Sequence, residues 1–296
     1  MSSPASGNFR AILAMIASQA SFIVNDALIK LATRELPGGQ AIFLRGAMAL
    51  VMALLIGTAM GQLKPWPTRR ETPLIAMRNI GEIGSTFFYL FALFNMPIAD
   101  ATAILQFLPL AITAGAALFL GEPVGWRRWL ATLAGFIGVL IIIRPGTSAF
   151  TVWSVVALAG VVFSMLRDLS TRQISKRFPT ILLVVLSAAT VTLSAAFFAL
   201  FETWIWPSPQ SMQLLAGAAL FLIGGYYFIT DAMRHGEVAV VSPFRYSVIL
   251  FAILIGIFLF GERPDAMALG GTAIVTAAGL YTFLRERTLQ RQRGRT

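Results

Sequence analysis

One apolar stretch of the chain carries Arg78, Glu82, Ser85 and Tyr89 at i, i+4, i+7 and i+11, with Asn79 and Thr86 alongside. That spacing puts them on one stripe of an α-helix. A second stretch repeats the interval with Thr102, Gln106, Pro109 and Thr113. A third groups Gly224, Tyr227 and Asp231 on one face, with Tyr226 and Thr230 adjacent; a fourth holds Ser242, Arg245 and Tyr246; the first apolar stretch adds Ser18, Gln19, Asn25 and Asp26. These residue types offer recognition: charge of both signs for a zwitterion, hydroxyl and amide hydrogen bonds, and aromatic rings for stacking. Bond-making chemistry lacks its usual parts. Cysteine is absent and His235 is the only histidine, and no His-Glu-x-x-His, Gly-x-Ser-x-Gly, paired-aspartate or Walker A motif occurs. No catalytic residue, metal or cofactor is therefore expected, and the substrate-binding candidates are Arg78, Asn79, Glu82, Ser85, Tyr89, Thr102, Gln106, Tyr226, Tyr227, Ser242, Arg245 and Tyr246.

The elements that must position them are membrane helices. The chain has 296 residues, 57% hydrophobic and 12% charged, against about 25% charged in soluble domains, and its mean hydropathy is +0.77. Too little polar surface remains to coat a water-soluble globule. Ten apolar runs fall at 10–31, 39–60, 73–94, 98–119, 127–143, 150–170, 180–201, 211–231, 238–260 and 266–284. Each is near the roughly 20 residues a helix needs to cross the hydrocarbon. The expected fold is an all-α polytopic membrane protein of ten transmembrane helices.

Cations set the orientation. With the N-terminus inside, 17 Lys and Arg fall on the inner side, including Lys64, Arg69, Arg70, Arg78, Arg127, Arg128, the 167–177 segment and Arg234. Four fall outside: Lys30, Arg34, Arg144 and Arg263. This bias predicts an inner-membrane protein with both termini cytoplasmic. Ser18-Gln19-Ala20 has the small residues of a signal-peptidase site, but Arg10 is the only cation before it and the apolar stretch runs past Phe22, so a retained first helix is expected. The basic tail after Leu284 reads as a solvated end attracted to anionic lipid, not as a nucleic-acid site.

Glu82 lies ten residues into its run, about 15 Å by helical rise, where a carboxylate costs about 2.5 to 3.5 kcal/mol to insert. Arg245, in a run entered from the opposite side, is its expected charge partner, while Arg78 and Glu82 also fit a simple i,i+4 pair at the rim. Pro109 removes a backbone donor and should leave the Leu105 carbonyl free. Gly57-x-x-x-Gly61, Ala131-x-x-x-Gly135 and Ala252-x-x-x-Gly256 read as helix contacts or dimer seams, which leaves a monomer or a weak homodimer.

Sliding the chain on itself by 140 residues aligns Leu120-Gly121-Glu122 with Phe260-Gly261-Glu262 without a gap. The same offset pairs Gly84 with Gly224, Phe88 with Phe228, Thr132 with Thr272 and Leu140 with Leu280. Each half then holds five crossings, and an odd number makes the second half enter from the opposite side: an inverted-topology repeat, residues 1–145 and 146–296. Glu122 and Glu262 sit at the corners and read as caps or loop anchors.

These residues carry a resemblance. Phe107-Leu108-Pro109, Leu120-Gly121-Glu122-Pro123 and Gly135-Phe136-Ile137-Gly138 in the first half are followed by Ser242-Pro243-Phe244-Arg245-Tyr246, Phe260-Gly261-Glu262-Arg263, Gly270-Gly271 and Gly279 in the second. Phe43-Leu44-Arg45 adds an arginine near the start of the second crossing. The chain resembles the EamA family of the drug/metabolite transporter superfamily over nearly its whole length. The proline stands 13 residues before Glu122 but 19 before Glu262, so the halves should not bend alike. The resemblance implies a secondary transporter moving small polar metabolites by alternating access. Export of amino acids, as by exporters of the YddG type, is the leading expectation. Import of a vitamin or nucleoside-like metabolite is the alternative, and an intramembrane enzyme is the reading from another class. The expected cavity is lined by the third, fourth, eighth and ninth crossings, with the Gly-rich fifth and tenth packed around it.

Overall fold

The computed structural model describes all residues except 1–3, 62, 65–68, 70, 123, 148–149, 176–177, 236–237 and 294–296, and the backbone alone at 4–8, 180, 234–235, 238–239 and 286–293. Arg70, Pro123, Lys176, Arg177 and Arg295, and the side chains of Arg234, His235, Arg287, Arg291 and Arg293, thus lie outside the described residues. Every regular element among the described residues is a helix: α1 (Pro4–Ala32), α2 (Gly38–Ala59), α3 (Thr72–Asn95), α4 (Ile98–Leu105), α5 (Leu108–Leu120), α6 (Trp126–Ile143), α7 (Val152–Gln173), α8 (Thr180–Ala199), α9 (Pro209–His235), α10 (Val238–Val241), a 3₁₀ turn (Ser242–Tyr246), α11 (Ser247–Phe260) and α12 (Ala266–Arg293). Hydrocarbon offers no partner for a free N–H or C=O, so a helix, which satisfies its backbone within the segment, is the form an apolar run of this length takes.

Among the described residues nine crossings are long and apolar enough to span a bilayer, counting α4 with α5 and the 3₁₀ turn with α11. The tenth is α3, set apart by Arg78, Asn79 and Glu82. Ten crossings return both chain ends to one membrane face, called here the terminal face; the other is the far face. Helices start where proline allows. Pro37, Pro97 and Pro179 precede α2, α4 and α8, and Pro73, Pro109 and Pro243 sit in first turns, where a missing N–H costs nothing.

The fourth and ninth crossings are each built from two pieces. Both are interrupted at equivalent places, the fourth at Gln106–Phe107 between α4 and α5, the ninth at the 3₁₀ turn. The breaks differ in length, as the unequal proline spacing predicted. Arg78 stands inside α3, and Arg167, counted with the cytoplasmic 167–177 segment, stands inside α7, which continues to Gln173. The basic tail is helical through Arg293.

Helices pair across the halves. The most extensive contacts are α1 with α9, α3 with α7, α2 with α8 and α6 with α12. Under exchange of the halves the first two pairs interchange and the last two map onto themselves, the pattern of an inverted two-fold. The offset of 140 recurs in atomic detail. Gly121 and Gly261 both end their helices at φ 66, the left-handed conformation glycine adopts without strain. The N–H groups of Glu122 and Glu262 donate to Ala116 and Gly256 carbonyls at 3.2 and 2.8 Å. On the axis, α6 and α12 touch at Gly138 and Gly271, where a Cβ on either would stand 2.9 or 2.6 Å from the other's carbonyl oxygen.

Polarity is arranged inside out. Val51, Leu55, Leu118, Phe119, Leu193 and Phe258 are exposed on the outer surface, while Ser18, Gln19, Asn25, Asp26, Arg45, Glu82 and Thr102 are buried. On the far face two carboxylates from the second half hold helix starts of the first, where the helix dipole favours negative charge. Glu202 accepts the Gly39 and Gln40 N–H groups, each at 2.9 Å, and Glu262 accepts the Ile98 N–H at 2.9 and 3.0 Å.

Candidate functional site

Two polar layers sit inside the bundle. The layer nearer the terminal face centres on Glu82 of α3, whose carboxylate lies 3.8 Å from Arg78 and 3.7 Å from Arg167 of α7. Arg167 also holds Asp168 at 2.7 Å. Arg78 is fixed further by Ser187 of α8 and, at 3.5 Å, by the Leu183 carbonyl. Asn79 accepts from Arg78 at 3.4 Å, and Ser85 donates back to the Glu82 carbonyl at 3.0 Å, so both brace α3.

Arg245, on the 3₁₀ turn, forms no ion pair within 4 Å among the described residues. Its charge faces Asp168 and Arg167, which corrects the expected pairing with Glu82. The side chain is ringed by protein and yet exposed to water, as is Tyr226 at 38% exposure. That combination marks a concave, accessible stretch of the protein's interior surface, a recess between the helices. Tyr226 sits in the field of Glu82, Arg167 and Arg78, with its ring edge-on to Phe22 of α1 at 5.5 Å. Arg167 and Asp168 were missed as site residues: Arg167 was counted with the cytoplasmic loop cations, and only the packing of α7 on α3 brings the two to Glu82.

The second layer lies nearer the far face. The Tyr89 hydroxyl donates to Asp26 Oδ2 at 2.8 Å, and Asn25 Nδ2 donates to Oδ1 at 2.8 Å. Arg45 of α2 donates to Asn25 Oδ1 at 3.1 Å. Thr102 of α4 is 1% exposed beside the same group. Tyr89 thus joins a layer different from that of Glu82, although both stand on one stripe of α3.

Other candidates fall elsewhere. Tyr227 is 65% exposed with its ring against Phe228, on the outer side of α9, and so leaves the expected set. The buried Tyr246 hydroxyl presses on α12 at Gly279, away from Glu82. Gln106 caps α4 at the break, its N–H donating to the Thr102 and Ala103 carbonyls. Ser242 opens the 3₁₀ turn, half-buried. Asp231 is taken by Arg10 at 3.2 Å. A groove of about 540 Å³ between α6 and α12, lined by Trp126, Arg127, Leu130 and Tyr281, lies apart from both layers.

The ties at the two faces are unequal. On the far face Lys30 bridges Glu262 at 3.2 Å and the Met96 carbonyl at 2.6 Å, with both side chains of the pair only 13% exposed. On the terminal face Arg172 meets Glu122 at 2.9 Å with side chains 50% and 43% exposed, and the Arg10 partner of Asp231 is 65% exposed. Exposed pairs of that kind contribute about 0 to 1 kcal/mol. Of these three pairs the far-face bridge is the most buried.

A helical bundle of two inverted repeats, with broken crossings and ionisable groups held between them, is the architecture of a membrane transporter. The profile of the EamA-like transporter family matches residues 9–144 and 151–284, and the chain belongs to that family, within the drug/metabolite transporter superfamily. It is 30% identical to the pseudopaline exporter CntI of Pseudomonas aeruginosa over 90% of this chain and 93% of that protein. It is 26% identical to a riboflavin transporter of Vibrio cholerae over 94% and 95% of the two chains. An S-adenosylmethionine uptake transporter of Rickettsia prowazekii shares 27% over 64% and 65%. A solved crystal structure superposes with a TM-score of 0.64 at 24% identity, covering 94% of this chain and 98% of its own, which shows the shared fold. The protein is a multi-pass membrane protein.

Proposed function

We propose that this protein is a secondary transporter exporting a zwitterionic, carboxylate-bearing small metabolite, an amino acid or a derivative, across the inner membrane by alternating access, with both termini cytoplasmic. The observation that carries the reading is Arg245: a guanidinium without an ion pair, open to water, beside Arg167, Asp168 and Tyr226. A free guanidinium in a recess suits a carboxylate bidentately. Glu82 and Asp168 supply the negative side for an ammonium group, and Tyr226 an aromatic wall. Substrate enters from the terminal face, past the exposed Arg172–Glu122 and Arg10–Asp231 pairs. Release follows when the far-face bridge of Lys30, Glu262 and Ile98 parts.

The exporter among the relatives, matched over nearly the whole of both chains, supports the outward direction. Import of a vitamin-like metabolite is the second reading, favoured by the riboflavin transporter, matched just as fully. Proteoliposomes loaded with a panel of labelled amino acids and vitamins decide between them. The expected result is amino-acid movement lost in Arg245→Gln; riboflavin movement unaffected by that substitution would sink the proposal.

A further inference from the structure

The layer nearer the far face has no place in the recognition scheme above. Asp26 is 9% exposed inside a membrane helix, and a carboxyl at such depth is an expense that packing alone seldom requires. Its partners have a particular chemistry. Both oxygens accept from neutral donors, Tyr89 Oη–H and Asn25 Nδ2–H, at 2.8 Å each. The nearest cation stands one residue removed, since Arg45 donates to Asn25 and its Nε has no partner. Among the described residues no cluster of three or more His, Cys, Asp or Glu gathers around it to hold a metal ion. A second observation points the same way: Thr102 Oγ1 is buried beside the Tyr89 hydroxyl, close to it but short of good hydrogen-bond geometry.

We propose that Asp26, Tyr89 and Thr102 form a proton-binding site coupled to transport, with Asp26 as the group that takes the proton. The balance is simple. A proton from water adds to Asp26 Oδ2, the new O–H donates to Tyr89 Oη, and the Tyr89 hydrogen swings to the waiting Thr102 Oγ1. No bond other than the O–H is made, and each polar atom of the relay is satisfied in the protonated state. The swing keeps the bond between α1 and α3 with its direction reversed and adds one from α3 to α4, the short helix before the break, whose start Glu262 holds at the far face. Tyr89 stands two turns from Glu82 on the same stripe, so α3 connects proton binding to the recognition layer.

The groups around Asp26 are few. On its own helix stand Asn25 and, about one turn toward the far face, Lys30, which holds Glu262 from beyond α11. α2 supplies Arg45 and α3 supplies Tyr89; α9 supplies Tyr226 beside Arg45, with Asp231 held by Arg10. The 3₁₀ turn carries Arg245 and Tyr246 toward the other layer, and α10 and α11 carry no ionisable residue. Arg45 and Tyr89 are the ones that act on Asp26 directly.

This inference rests on the transporter reading, but its first test needs no substrate. Infrared difference spectra of purified protein between about pH 8 and pH 5 should show a buried carboxylic-acid band that vanishes in Asp26→Asn. Thr102→Val, which leaves the ionised network intact and removes the acceptor for the swung hydroxyl, should move that band's midpoint about one pH unit toward acid. In proteoliposomes carrying the amino-acid panel, Asp26→Asn should retain substrate exchange and lose accumulation driven by a pH gradient. A band unchanged in Asp26→Asn, or an unmoved midpoint in Thr102→Val, overturns the site. Gradient-driven accumulation by Asp26→Asn at the wild-type level overturns the coupling. Loss of the band with no transport of any amino acid leaves the proton site standing and refutes the substrate reading.

Discussion

Glu82 and Arg167 meet at 3.7 Å across α3 and α7, one from each half of the chain. Each is also held by a neighbour on its own helix, Arg78 and Asp168 respectively. The result is a chain of alternating charge at the wall of the recess, not a closed pair, so a ligand's charges can exchange with its members at small cost. Breaking a fully buried pair costs about 3 to 5 kcal/mol; with second partners present, Glu82→Gln and Arg167→Gln should each cost less, about 1 to 3 kcal/mol. Thermal unfolding in detergent would read that loss. The double substitution should regain stability and remain without transport, because the recognition charges are gone. Transport by both single variants at the wild-type rate, at matched expression, would remove the pair from the mechanism.

The seam on the two-fold axis tolerates no side chain. Gly271→Ala puts a Cβ 2.6 Å from the Gly138 carbonyl oxygen, so α6 and α12 must separate. Overpacking of this kind costs about 1 to 3 kcal/mol. The adjacent Gly270 has open space around its Cβ position. Gly270→Ala is therefore expected to keep the wild-type melting temperature, and equal melting of the two variants would contradict the packing.

The far-face bridge sets how often that face opens. Glu262→Ala removes the Lys30 partner and the carboxylate on the Ile98 N–H together, a loss of about 1 to 2 kcal/mol on the scale of a helix cap. Opening should rise about tenfold. The chain has no cysteine of its own, so Asp100→Cys, in the first turn of α4, can report it through its labelling rate by a maleimide. An unchanged rate in Glu262→Ala would show that the bridge does not gate.

The loop at the far face should loosen in acid. Glu35 accepts from the Ser208 N–H and hydroxyl at 2.9 and 2.7 Å and from the Ser211 hydroxyl, and these bonds hold its carboxyl below the ordinary 4.5. A carboxyl lowered in the folded state stabilises above its unfolded value and ceases to do so as the pH falls through the folded one. Proteolysis of the 201–208 segment is therefore expected to rise below about pH 4.5 in the wild type. In Glu35→Gln it should be fast at every pH tested, and a pH profile identical in the two would count against the tie.

Orientation follows from the cations. In the cysteine-free chain, Thr147→Cys is expected to react with an impermeant maleimide added to intact cells and Lys64→Cys to react only after lysis. The reverse pattern would invert the export direction proposed above.

The sequence alone determined the helical class, the ten crossings, the repeat at 140 residues and the polar faces of α3 and α4. These were legible because hydrocarbon forces each backbone to bond within its own segment and makes apolar length a direct measure of a crossing. Proline spacing also foretold that the two broken crossings would differ. Tertiary structure decided the partners. Asp26 and Tyr89 are 63 positions apart, and Glu82 finds Arg167 in place of Arg245, because which residues of one stripe meet depends on the rotation and depth of neighbouring helices. Tyr89 and Glu82, inseparable by spacing, enter different layers because α7 packs along α3 past both and brings Arg167 to Glu82 but Gly160 to Tyr89, whose hydroxyl is left to Asp26 of α1. Tyr227 stood on a promising face but turns outward, since one residue along a helix is a rotation of about 100° and only the packing of α9 on α1 fixes where that face points.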